Sequence, residues 1–406
     1  MDDKLDIRAE EVRNLINKLR RFLGYAAVEK SLRRYRNSLQ SSGPVVREYY
    51  LRNRHPWWGA FIEYFELERS GKSIKRNLTT GIKLLAADGK RISILQEFMP
   101  EKVREKYKRD LVDDKRAYDY LFEIHIAWHF YSKGCEIQWH KDDSRKHPEF
   151  IAKSQDFQFN VECKRISVDI ARKIHRKDFY GFADKLIPEI EKRNYAGKLD
   201  FTLKDRLKSG AFGKLCAKAL KVIDGGILDA DCEIAPFGSL ALDLSCCCHG
   251  VIDMNERWNN FYERKPDNAH GTIFARSKSG RPVDPIELTV MSEKADTVLD
   301  GIKDRISRAE TQLDESKPGL IACFLEGVNG FELDKLKSKS GLQLMTNDLL
   351  AKDKFSHIAG ISYSSESMVK KGWNSEEIFN SALFFRNHKC KFKEAKTFKF
   401  MSPPRF

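Results

Sequence analysis

The sequence predicts an α/β protein with an α-helical N-terminal domain, and three observations lead there. Apolar residues recur every three or four positions through the first hundred residues. Short β-branched and aromatic runs begin after Gly134. From there strand-like and helix-like stretches alternate, which is the pattern of a sheet flanked by helices rather than a sandwich. With 406 residues and about 150 residues per domain, two or three domains fit the length. Hydrophobic residues at 41% and aromatics at 11% supply a sizeable core, and 33% charged residues exclude disorder over most of the chain.

Residues 1–104 read as a basic helical domain that binds a partner or DNA. Val12, Leu15, Ile16, Leu19, Phe22 and Leu23 form one apolar stripe, the signature of an amphipathic helix. A second basic helix covers Val28–Leu39, and Ser41, Ser42, Gly43 and Pro44 break the pattern. Residues 45–71 are rich in aromatics, including Trp57, Trp58 and Phe61, and read as a buried helical layer. Another helix is expected over Ser73–Ala87, with Pro100 closing the segment.

Residues 105–406 read as a second, larger domain. Asp113 or Asp114 can cap a helix running to about Ser132, with Gly134 ending it. Strands are expected at Cys135–His140, Glu149–Ser154 and Phe157–Ile166. Beyond them come a Lys-rich helix (Phe212–Ile223), a strand (Ser239–Cys246) and a helix (Ala295–Leu313). The series closes with a strand (Gly319–Leu325), a helix (Gln343–Lys352) and a strand (Ser356–Ser364). The tail Asn387–Phe406 interleaves lysines with Phe392, Phe398 and Phe400.

Lysine plus arginine number 73 against 59 acidic residues, a net charge of +14. Such a surface attracts polyanions, because each neutralised phosphate releases a condensed counterion. No run approaches the roughly 18 apolar residues of a membrane span. The start, MDDKLDIRAEEV, lacks the order of a secretory signal. The nine cysteines show no framework spacing and fit reduced thiols. A cytoplasmic protein with a nucleic-acid partner and no membrane partner is the expectation.

The chemistry concentrates in HPEFIAKSQDFQFNVECKRI, residues 147–166. In a strand, side chains alternate faces. Phe157, Phe159, Val161 and Cys163 therefore share one face, while Gln158, Asn160, Glu162 and Lys164 share the other. Pro148-Glu149-Phe150 opens the neighbouring strand and brings a second carboxylate within reach of Glu162. Two carboxylates on adjacent strands suit Mg²⁺, which takes one or two and keeps waters for the substrate. A cation held there neutralises charge on phosphorus and lowers the pKa of bound water. Lys164 can orient that water or stabilise the developing charge. On the preceding helix Glu123 interrupts an apolar stripe of Tyr120, Ile126, Ala127 and Phe130. A buried carboxylate needs a partner, which a metal or Lys164 would supply. A core salt bridge is the bland reading of Glu123.

This arrangement resembles the PD-(D/E)xK nuclease superfamily, with its restriction-endonuclease-like fold. The matching positions are Glu123, Glu149, Glu162 and Lys164, within residues 105–365. The resemblance implies a mixed central sheet flanked by helices and Mg²⁺-dependent endonuclease activity, with Mn²⁺ able to substitute. Its substrate is double-stranded DNA, less often RNA, and its members often act as dimers in restriction or other defence. Glu149, Glu162 and Glu123 would hold the metal and Lys164 would act in catalysis. Glu149 stands where the family most often has Asp. The second core helix of the fold is either Phe212–Ile223 or Ala295–Leu313. The alternative is an inactive nuclease-like fold that binds nucleic acid as a scaffold.

Competing sites are weaker. His125 and His129 are spaced for zinc but lack the intervening Glu of a His-Glu-x-x-His motif. Cys246, Cys247, Cys248 and His249 resemble ligands, yet adjacent cysteines in a strand face opposite ways. Cys163 faces the core. Asp156 is a reserve ligand if the strand register is shifted.

Overall fold

The computed structural model describes residues 7–52, 54–140, 147–155, 157–246, 254–266, 268–278, 281–366, 368–371, 376–379 and 381–397. The chain is mixed α/β, built on two mixed sheets.

Six helices come first: α1 (Val12–Leu23), α2 (Tyr25–Gln40), α3 (Trp58–Arg69), α4 (Thr80–Leu95), α5 (Glu101–Asp110) and α6 (Ala117–Tyr131). The buried side of α1 is the stripe read from the sequence. It crosses α4 at Gly89, where any side chain would collide with the Leu15 carbonyl. α4 starts later than expected because Thr79 caps it, its hydroxyl accepting the Ile82 N–H at 3.3 Å. Between α2 and α3, residues Val46–Leu51 wind as a π-helix. The aromatic layer is buried as expected, with Trp57, Trp58, Phe61 and Tyr64 all nearly inaccessible.

Three strands follow: β1 (Glu136–Trp139), β2 (Phe150–Lys153) and β3 (Gln158–Ser167). The chain continues through α7 (Arg176–Lys192), β4 (Tyr195–Leu203), α8 (Phe212–Asp224), β5 (Asp229–Glu233), β6 (Gly238–Cys246), α9 (Met254–Arg264), β7 (Ala269–Lys278) and β8 (Arg281–Ser292). Next are α10 (Val298–Glu310), β9 (Gly319–Asn329), α11 (Gly330–Ser338), α12 (Gly341–Leu350) and β10 (Ile358–Glu366). The chain closes with β11 (Met368–Lys371), β12 (Glu376–Phe379), β13 (Ala382–Arg386) and α13 (Lys393–Thr397).

The first sheet has the order β1-β2-β3-β9-β10-β13. β1, β2 and β3 form an antiparallel meander, β9 runs parallel to β3, and β10 runs parallel to β9. Both faces are covered, which demands apolar residues on both. On one face Phe150, Phe159, Val161, Cys163 and Leu320 join a single apolar cluster with α6 and the helices of residues 1–104. On the other, Ile166, Ile321, Cys323 and Leu325 pack with Ile302 and Ile306 of α10.

The second sheet, β5-β6-β4-β8-β7, was not anticipated as a separate body. α7 and α8 cover its apolar face, where Phe179, Phe182, Leu215 and Ala219 meet Leu199, Phe201, Leu240 and Leu288. The Lys-rich helix α8 therefore belongs to this sheet. α10 is the helix that covers the first sheet opposite α6.

Candidate active site

The β2–β3 ladder sets the geometry. Phe150 pairs with Val161, and the Glu149 N–H still donates to the Val161 carbonyl at 3.0 Å. One step further on, Glu149 stands opposite Glu162, where directly opposed Cβ atoms lie about 5 Å apart. Alternation along β3 puts Glu162 and Lys164 on the α10 side. Their partners across the parallel ladder are Ile321 and Cys323, both in the α10-side cluster.

Glu162 is wholly buried. Its Oε1 meets the Lys164 ammonium in a close ion pair, while Oε2 has no hydrogen-bond donor among the described residues. Burial, reinforced by the Glu149 charge, pushes the Glu162 carboxyl up to about 8. Burial also raises Glu149, with Lys164 opposing it. Burial pulls Lys164 down, but the Glu162 carboxylate more than offsets it and holds the ammonium above its usual range. The raised pKa values of the two acids show that their nearby ammonium does not fully offset burial, a deficit that a divalent cation would make up.

Glu123 approaches from the α6 side of the sheet. It is buried and accepts the Tyr107 hydroxyl at Oε2. Burial first, then the charge of Glu149, lifts it well above the carboxylate range. Glu149 is thus the residue whose charge acts on both other acids. The structure brings Glu149, Glu162 and Lys164 together on one face and ties Glu123 to them through Glu149. Among the described residues no three His, Cys, Asp or Glu side chains are arranged as a ready ligand set. Mg²⁺ needs only one or two carboxylates. The orphaned Glu162 Oε2 beside Glu149 fits that demand.

Sequence reasoning missed three neighbours. Lys106 of α5 adds positive charge near both Glu123 and Glu149, its Nζ lying 5.6 Å from the Tyr120 ring centre. Asp119 is one helical turn before Glu123 and adds negative charge to both acids. Arg165 donates to Asp119 at 3.1 Å and to Glu326 at 2.7 Å. Tyr107 is the third. Only the i,i+4 spacing of Asp119 and Glu123 was visible in the sequence.

The competing sites resolve as core or fall outside view. His125 Nε2 lies 2.7 Å from Asp88 Oδ1, and Asp88 also accepts from Trp57 at 2.9 Å and Arg91 at 2.7 Å. His129 is buried, with Lys133 Nζ at 2.9 Å. Cys163 is buried, and burial with the surrounding carboxylates holds its thiol well above normal, so it is no nucleophile. All seven described cysteines are free thiols. Cys246 is exposed, while Cys247, Cys248, His249 and Asp156 lie outside the described residues. No described helix is long and apolar enough to cross a membrane.

No protein-family model, no curated protein and no solved structure matches this chain.

Proposed function

We propose that this protein is a metal-dependent endonuclease of the PD-(D/E)xK type, hydrolysing phosphodiester bonds of DNA. The observation that carries this reading is the fully buried Glu162, set across the β2–β3 ladder from Glu149 and beside Lys164, with one oxygen lacking any donor. A structural ion pair would not need the second acid, and burying unneutralised carboxylates is costly. The order β1-β2-β3-β9-β10, with α6 and α10 on opposite faces, also supports it.

Glu149 and Glu162 would hold the cation, and Glu123 would support it from the α6 side. A bound Mg²⁺ supplies charge neutralisation and a more acidic water. Lys164, whose side chain is 25% exposed, would be free to stabilise charge developing on the phosphate were a cation to take its place at Glu162. The +14 charge gathers the polyanion.

The test is cleavage of supercoiled plasmid, linear DNA and RNA with Mg²⁺ or Mn²⁺, comparing wild type with Glu162→Ala/Lys164→Ala. Cutting by wild type alone supports the reading. If wild type cuts none of the polymers with any divalent metal, a nucleic-acid-binding scaffold is left. A role in restriction or defence rests on analogy with the family.

A further inference from the structure

We propose that Tyr107 is a positioning residue of this site: with Trp139 it fixes Glu123 as a hydrogen-bond acceptor and sets that carboxylate for a divalent cation. The inference rests on the reading above and extends it to a helix, α5, that precedes every strand of the sheet.

The indole end fixes the polarity of the chain at Trp139. An indole can only donate, and Trp139 Nε1 donates to the Tyr107 oxygen at 3.0 Å. Tyr107 has one hydroxyl proton, and its oxygen is taken as acceptor by the indole. That proton goes to Glu123 Oε2. Trp139, Tyr107 and Glu123 therefore form a chain in which the indole donates to the phenol and the phenol hydroxyl donates to the Glu123 carboxylate.

Packing holds the relay rigid. Tyr107 is 2% exposed, with the Tyr120 ring edge-on at 4.8 Å and the Trp139 ring edge-on at 6.4 Å. Trp139 lies in β1 directly across from Phe150, the neighbour of Glu149. Strand β2 thus lies between β3, which places Glu149 through its backbone, and β1, whose Trp139 places Glu123 through Tyr107. Partners that orient metal-binding carboxylates typically contribute 10–100-fold to metal affinity or activity.

The experiment measures Mn²⁺ binding to the full chain by the loss of its free-ion EPR signal, alongside cleavage at varied metal concentration. Tyr107→Phe keeps both ring contacts and removes only the donor. Its Mn²⁺ affinity should fall about tenfold, with the metal concentration for half-maximal cutting rising in parallel and saturated cutting less affected. Trp139→Phe, which frees the hydroxyl to rotate, should fall less. A thermal midpoint lowered in Tyr107→Phe with unchanged Mn²⁺ affinity would overturn the proposal and leave a structural role. If wild type neither binds Mn²⁺ nor cuts, the endonuclease reading itself falls. Wild type that binds and cuts, with Tyr107→Phe matching it, sinks only this inference.

Discussion

Glu162 and Lys164, two residues apart on the same face of β3, close into an ion pair in which the carboxylate is fully buried and the ammonium reaches solvent. The Lys164 side chain is a quarter exposed, while the Glu162 side chain is wholly buried.

Removing that ammonium should destabilise the metal-free protein. Losing one partner of a buried pair costs about 3–5 kcal/mol, and the exposure of Lys164 brings the expectation down to about 2–3 kcal/mol. Urea unfolding in EDTA should show this loss for Lys164→Met and a partial recovery in Glu162→Gln/Lys164→Met. Equal stability of the two variants would contradict the pairing.

The acids also predict a pH response. Glu162 has a folded-state pKa of about 8 against a reference of 4.5, so between those values the folded state binds the proton more tightly. Its contribution is present below about pH 4.5 and lost as pH rises through about 8. Buried histidines act in the opposite sense below about 6.5: burial lowers His55 to about 3 and also lowers His125 and His270. Comparison with Glu162→Gln cancels the histidines. The thermal midpoint of that variant in EDTA should gain on wild type from pH 5 to about 8 and level off above it, and Mg²⁺ should close the gap by stabilising wild type. A pH-independent difference would rule out a raised Glu162.

Lys106 forms no salt bridge among the described residues, although its charge reaches Glu123 and Glu149. On the proposed endonuclease reading it would meet a phosphate of the substrate. Lys106→Ala should weaken DNA binding uniformly across sequences and reduce the slope of log affinity against log salt by about one. Fluorescence anisotropy over a salt series reads both. An unchanged slope would remove Lys106 from the interface.

Asp88 gives the contrasting case of a purely structural acid. It holds Trp57, Arg91 and His125, and burial is outweighed by the charges of His125 and Arg91, which keep it below its usual value. Asp88→Ala should cost about 3–5 kcal/mol in urea unfolding, while Mn²⁺ affinity measured well below the melting point stays at the wild-type value.

Local periodicity made much of the molecule legible. The α1 stripe, the alternation of β3 and the course of α6 depend on residues a few positions apart, and the structure places them within a few residues of expectation. Gly134, at φ 84°, ends α6 as read, because a side chain there would be strained. The strands of the second sheet were mostly missed. In β4 the text KLDFTL alternates, but its six residues carry no turn or pairing signal that would set them between β6 and β8.

Sequence alone determined how the candidate residues are set: Glu162 and Lys164 share a face because strand side chains alternate by rule, and Pro148-Glu149 leads into the adjacent strand. Tertiary structure alone decided that α10 rather than α8 covers that face, and that Tyr107 reaches across from α5 to hold Glu123. Alternation is a property of neighbours along the chain. The choice of covering helix and the closing of a donor relay depend on which surfaces meet after the chain has folded back on itself, and no local pattern encodes that meeting.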